Sequence, residues 1–155
     1  MTRSRLAVAV QNAAAGARVP ARTDIRRWVG AALRGASGEV TVRIVAAEES
    51  AALNSRYRGK RGATNVLSFP VGVQPALPEP SPGPLGDLVI CADVLEREAG
   101  EQGKTPEAHW AHIVMHGALH LCGYDHDTAA RAAVMEARER ELLAEFGFPD
   151  PYAQA

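Results

Sequence analysis

The segment from His116 to His126, HGALHLCGYDH, constrains this chain more than any other stretch. His116 and His120 are four residues apart, so on a helix their imidazoles stand one turn apart on one face, close enough to share a cation. His126 cannot join them if the helix simply continues. Gly123, which takes up left-handed backbone angles at little cost, can end the helix and return the chain toward the first two rings. The helix has a clear start upstream: Thr105 can cap free amides, and Pro106 suits the first helical position. A helix from there to about Cys122, a glycine turn, and a final amphipathic helix over Asp127 to Phe146, stopped at Gly147, make up the predicted C-terminal half.

The N-terminal half alternates. Leu6 to Gln11 and Val40 to Val45 read as strands, while Ile25, Trp28, Val29, Ala32 and Leu33 recur at helical spacing over Thr23 to Leu33. Glu48 to Tyr57 reads as a short helix, Asn65 to Pro70 and Asp87 to Cys91 as strands, and Asp93 to Glu101 as a helix. Between two of these strands runs QPALPEPSPGPLG, Gln74 to Gly86, dense enough in proline to read as a surface loop. The expected fold is therefore α/β: one small domain over residues 1–155, a mixed sheet packed against helices, with a zinc-binding helix-turn near the C-terminus.

Bulk properties exclude several functions. A length of 155 residues suits a single core. Seventeen Lys and Arg against eighteen Asp and Glu leave no global field to draw the chain onto nucleic acid, so any such contact must be local. Two basic groups could serve: Arg56, Arg58, Lys60 and Arg61, or Arg18, Arg22, Arg26 and Arg27. The apolar run Leu6 to Val10 is too short for a signal sequence and reads better as a strand. No stretch approaches the roughly 20 apolar residues of a membrane span. Cys91 and Cys122, both within apolar runs, are expected to be buried free thiols in a reducing cytoplasm.

A lone histidine on an amphipathic helix is ordinarily a hydrogen-bonded core residue; three at this spacing read as metal ligands. His112, His116 and His120 form an alternative trio, disfavoured because one straight helix spreads them too far for three Zn–N bonds of about 2.0 Å. His109 and His112 are then supporting or structural. Cys122 points off the ligand face and reads as core, and Asp125 either orients an imidazole or caps the turn. Three neutral histidines leave a Zn²⁺ with an open position at which water is acidified, the catalytic pattern rather than the structural one. The spacing matches the metzincin motif HExxHxxGxxH except at Gly117, where the protease needs its glutamate, so peptide hydrolysis is disfavoured.

HGALHLCGYDH, together with NSRYRGKRGATNVLSFP at Asn54 to Pro70 and LGDLVIC at Leu85 to Cys91, resembles the YbeY family of bacterial rRNA maturation factors over most of the chain. The resemblance implies a single-strand-specific endoribonuclease acting in 16S rRNA 3′-end maturation and ribosome quality control. It further implies one zinc per chain on His116, His120 and His126, Arg58 as the basic residue of the active-site cleft, and single-stranded RNA and the ribosome or its proteins as partners. Arg61 stands where the family usually has an acidic residue, making the patch more basic. Hydrolysis by water and attack by the RNA 2′-hydroxyl both remain open, as do other His-binding metals and a non-catalytic role in ribosome assembly.

Overall fold

The computed structural model describes residues 6–70 and 84–153. In chain order the elements are β1 (Leu6–Asn12), α1 (Arg22–Ala32), β2 (Gly38–Val45), α2 (Ala47–Arg58), β3 (Val66–Pro70), β4 (Pro84–Cys91), α3 (Ala92–Gln102), α4 (Pro106–Leu121) and α5 (Ala129–Glu145). The strands form one mixed sheet in the order β1-β2-β4-β3, with β1, β2 and β4 parallel and β3 antiparallel at the edge. This is the expected α/β domain.

One element differs from the sequence reading. The loop expected over 74–86 gives way to strand at Pro84, three residues early, because Pro84 and Gly86 pair with Glu39 and Val40 of β2 across a register shift, and Gly86 also faces Pro70 of β3. Proline is tolerated there because the first residue of a strand need not donate to the ladder. Positions 74–83 lie outside the described residues.

Alternation decides what each sheet face meets. Val40, Val42 and Ile44 of β2, with Leu88 and Ile90 of β4, join Ile25, Trp28, Val29, Met115, Leu119 and Leu142 in the main core. The opposite face holds a smaller cluster of Val45, Leu67, Val89, Cys91 and Val94, against which Leu53 of α2 and Phe69 pack. Among the described residues, that face is only partly covered. α4 is apolar nearly all round, with eleven of its sixteen residues buried, and it contacts α1, α3, α5, β3 and β4. A helix of that composition belongs in the centre of a core. Its start is fixed as the sequence predicts, with Thr105 Oγ1 accepting from Ala108 N–H at 3.2 Å.

Gly117 is where α4 presses on the sheet. A Cβ there would lie 3.0 Å from Val66 Cγ2 and 3.1 Å from Leu88 Cδ2, and Ser68 Oγ donates to the Gly117 carbonyl at 3.1 Å. The position that holds a glutamate in metzincins thus faces the sheet in this chain. Among the described residues, no helix is long and apolar enough to cross a membrane.

Candidate metal centre

α4 ends at Leu121, and the chain turns through Gly123 at φ +99°, a left-handed angle that costs glycine little. Gly123 N–H donates to the His120 carbonyl at 3.2 Å, and Tyr124 N–H to that of Leu119 at 3.1 Å. This turn returns His126 to the first two histidines. Candidate ligand atoms of His116, His120 and His126 all lie within 4.8 Å of one another, so the three could hold a metal ion.

The nitrogens facing away from this centre decide its chemistry. His116 Nδ1 lies 3.2 Å from Glu139 Oε1, and His120 Nδ1 lies 3.0 Å from the Tyr124 carbonyl oxygen. Both acceptors are proton-free, so each Nδ1 carries the proton and each Nε2 presents a lone pair. Those two Nε2 atoms are 3.2 Å apart. Two lone pairs facing at that distance repel unless a cation lies between them. Tetrahedral zinc with Zn–N bonds of 2.0–2.1 Å would separate two ligand nitrogens by about 3.3 Å, so the donor set fits the ion. Burial, followed by the neighbouring charges of His116 and His126, lowers the pKa of His120 and favours the neutral, metal-binding ring.

Glu139 is the residue that sequence reading missed. Its side chain is fully buried and takes three donors: His112 Nε2 at 2.7 Å, His116 Nδ1 at 3.2 Å and the Tyr152 hydroxyl at 2.8 Å. Burial pushes its pKa up, but the hydrogen bonds from His112 and His116 and their charges outweigh this and hold the carboxylate down at about 2. The sequence did carry a signal. Met135, Glu139, Leu142 and Leu143 share one face of α5, and a carboxylate on that apolar face needs a partner. His112, His116 and Glu139 also form a group of metal-ligand type. Three donors already converge on this carboxylate, however, and the short His112 contact reads as a hydrogen bond that helps fix the carboxylate behind the candidate ligand His116.

The other sequence candidates resolve differently. His109 is buried and its Nε2 lies 2.9 Å from Glu98 Oε1, a structural pairing. Asp125 caps the turn: its Oδ1 accepts from His126 N–H at 2.8 Å and stays 3.9 Å from the ring nitrogen Nδ1. Cys122, expected in the core, is exposed, because it follows the last residue of α4 and its Sγ turns back to the Leu119 carbonyl. Cys91 is buried as expected, and both thiols are free.

Arg58 is the last residue of α2 and exposed, and it lines the same cleft as the three histidines. The cleft, of about 470 Å³, is also walled by Thr64, Asn65, Val66, Ser68 and Tyr124. Two buried polar side chains of α2 tie down the segment after Arg58. Ser50 Oγ accepts from Thr64 N–H at 3.0 Å and Asn54 Nδ2 donates to the Gly62 carbonyl at 2.9 Å. Among the described residues, the Arg58 guanidinium makes no ion pair, so it is available to an anion.

The sequence pattern of the family described as endoribonuclease YbeY matches residues 11–147. Proteins named endoribonuclease YbeY from Stenotrophomonas maltophilia and Stutzerimonas stutzeri are 52% and 57% identical, covering 99% and 94% of this chain and 98% and 90% of their own. The solution structure of TM1509 from Thermotoga maritima shares the fold, with a TM-score of 0.57 at 22% identity over 95% of this chain and 99% of that one. A pattern match across most of the chain and relatives above half identity over nearly their whole length establish kinship: this chain belongs to the YbeY family.

Proposed function

We propose that this chain is a zinc-dependent endoribonuclease that cuts single-stranded RNA, acting at the 3′ end of 16S rRNA in ribosome maturation and quality control in the cytoplasm. Membership of a family whose relatives are named endoribonucleases supports the reaction class. One observation carries the metal: the Nε2 atoms of His116 and His120 face each other at 3.2 Å with both Nδ1 atoms engaged by acceptors. Zinc, which His116, His120 and His126 would hold through neutral imidazoles, would supply Lewis-acid chemistry, polarising phosphoryl oxygen and acidifying water.

The chain's own residues supply the rest. Arg58, at the cleft wall, has a fork of N–H donors that matches two phosphate oxygens and stabilises charge gathering on phosphorus. Loss of one such donor costs on the order of 10²–10³ in rate. The Tyr124 carbonyl and the Glu139 carboxylate hold the rings of His120 and His116 in the tautomer that aims Nε2 at the cation. Gly117, against the sheet, keeps position 117 out of the chemistry, which disfavours a peptidase.

The test compares chelator-washed and zinc-reconstituted protein on a single-stranded RNA and on a denatured protein. RNA cleavage that disappears with chelator and returns with zinc, with the protein substrate intact, is the expected result. Stoichiometric zinc binding without RNA cleavage would refute the nuclease and favour a zinc-containing assembly factor.

A further inference from the structure

Of the basic group Arg56, Arg58, Lys60 and Arg61, the proposed chemistry uses only Arg58. The residue between the two arginines is the most exposed aromatic among the described residues: Tyr57 is 56% accessible. It is nonetheless held in place. Its ring packs edge-on to Phe69 with centroids 5.3 Å apart, and the Arg56 guanidinium lies 5.4 Å over its centroid. An exposed tyrosine fixed by an aromatic on one side and attended by an arginine is the equipment of a base-stacking site, since every nucleobase has a face to offer a ring.

Its position relative to the metal centre follows from strand alternation. Val66, Ser68 and Pro70 of β3 line the metal cleft, while Phe69, between them, lines a recess on the other face of the sheet together with Tyr57, Leu53, Thr41 and Arg43. Arg58 and Tyr57 repeat the division one residue apart on α2: Arg58 lines the cleft and Tyr57 the recess. β3 is the edge strand, so among the described residues that edge and the last turn of α2 lie between the two cavities. Arg56, Lys60 and Arg61, all exposed, flank the crossing with positive charge.

Resting on the nuclease reading, we propose that Tyr57, backed by Phe69 and flanked by Arg56, stacks an unpaired base of the RNA strand whose phosphate enters the metal cleft at Arg58. Stacking on a tyrosine asks for a base free of its own helix, so this site would itself select single strands over duplex.

The test measures binding of a labelled single-stranded RNA to the zinc-loaded full chain, the RNA carrying phosphorothioate linkages and 2′-O-methyl riboses so that it stays intact. Tyr57→Ala is expected to weaken binding about 5- to 150-fold, and Tyr57→Trp to retain it. An RNA carrying one abasic nucleotide, moved stepwise along the strand, should at one position weaken wild-type binding by the same factor and leave Tyr57→Ala binding unchanged further. Unaltered RNA binding by Tyr57→Ala, including the case where only binding to a ribosomal protein falls, overturns the stacking site and leaves the nuclease reading standing. Fully additive losses from Tyr57→Ala and the abasic nucleotide at every position also overturn it. A wild-type chain that binds no single-stranded RNA overturns the nuclease reading, and the stacking site with it.

Discussion

Replacing Glu139 by glutamine asks how much metal affinity is set from behind the ligands. Oε1 of this buried carboxylate accepts from His112 Nε2 at 2.7 Å, His116 Nδ1 at 3.2 Å and the Tyr152 hydroxyl at 2.8 Å, and Oε2 lies 2.9 Å from the same hydroxyl. Glutamine preserves the volume, can keep a carbonyl oxygen at Oε1, and can turn its NH₂ toward the Tyr152 oxygen. The charge is lost and the packing is kept. Because charge-assisted hydrogen bonds are roughly twice as strong as neutral ones, His116 then donates to a weaker acceptor and its Nε2 becomes a poorer ligand. Positions that orient a metal-binding histidine typically contribute about 10- to 100-fold in affinity, or about 1.4–2.7 kcal/mol. Glu139→Ala should behave differently, stranding buried donors at about 1–3 kcal/mol each and so lowering stability by about 3 kcal/mol or more. Zinc titration against a chromophoric chelator, beside denaturant unfolding of the zinc-free variants, separates the two effects. A folded Glu139→Gln protein that binds zinc within about twofold of the parent, against the typical 10-fold or greater loss, would show that the Glu139 charge does not set metal affinity.

Three further outcomes follow from the same geometry. Gly117→Glu, which completes the metzincin pattern, should unfold more readily by about 3 kcal/mol or more and gain no peptidase activity, because its Cβ would crowd Val66 at 3.0 Å and Leu88 at 3.1 Å and its carboxylate would enter a buried position against the sheet; equilibrium unfolding and a casein digest check it. Thr105→Ala should cost about 1 kcal/mol in urea unfolding through loss of the α4 cap. Metal-free protein should lose stability in acid. Glu139 has a folded pKa of about 2 against an ordinary 4.5, so its contribution is present above that ordinary value and is lost as pH falls toward 2. Denaturant midpoints for the parent and Glu139→Gln should therefore converge across that window.

The order of elements was legible because each depends on local signals: β-branched alternation in β2, helical spacing of Ile25, Trp28 and Val29, and the Thr105-Pro106 start of α4. So was the histidine trio, since helix periodicity and one glycine bring its members together. What escaped the sequence depends on contacts between distant segments. Pro84 belongs to β4 through pairing with β2, which local proline content argues against. Glu139 reaches His116 across 23 positions, and Tyr152 reaches Glu139 from the tail. Cys122 reads as core by its apolar neighbours but falls just beyond the end of the helix that would have buried it. The face of Gly117 could be inferred as unreactive from its lack of a side chain, but its contact with Val66 and Leu88 required the sheet.

His116, His120 and His126 are proposed to hold the metal and Arg58 to bind the phosphate, a division of roles read out by assaying zinc content and single-stranded RNA cleavage in the same preparations of His116→Ala and Arg58→Glu. On that division His116→Ala should lose both zinc and cleavage, whereas Arg58→Glu should keep stoichiometric zinc and lose cleavage. Cleavage retained in either variant, or zinc lost from Arg58→Glu while the fold persists, would contradict it.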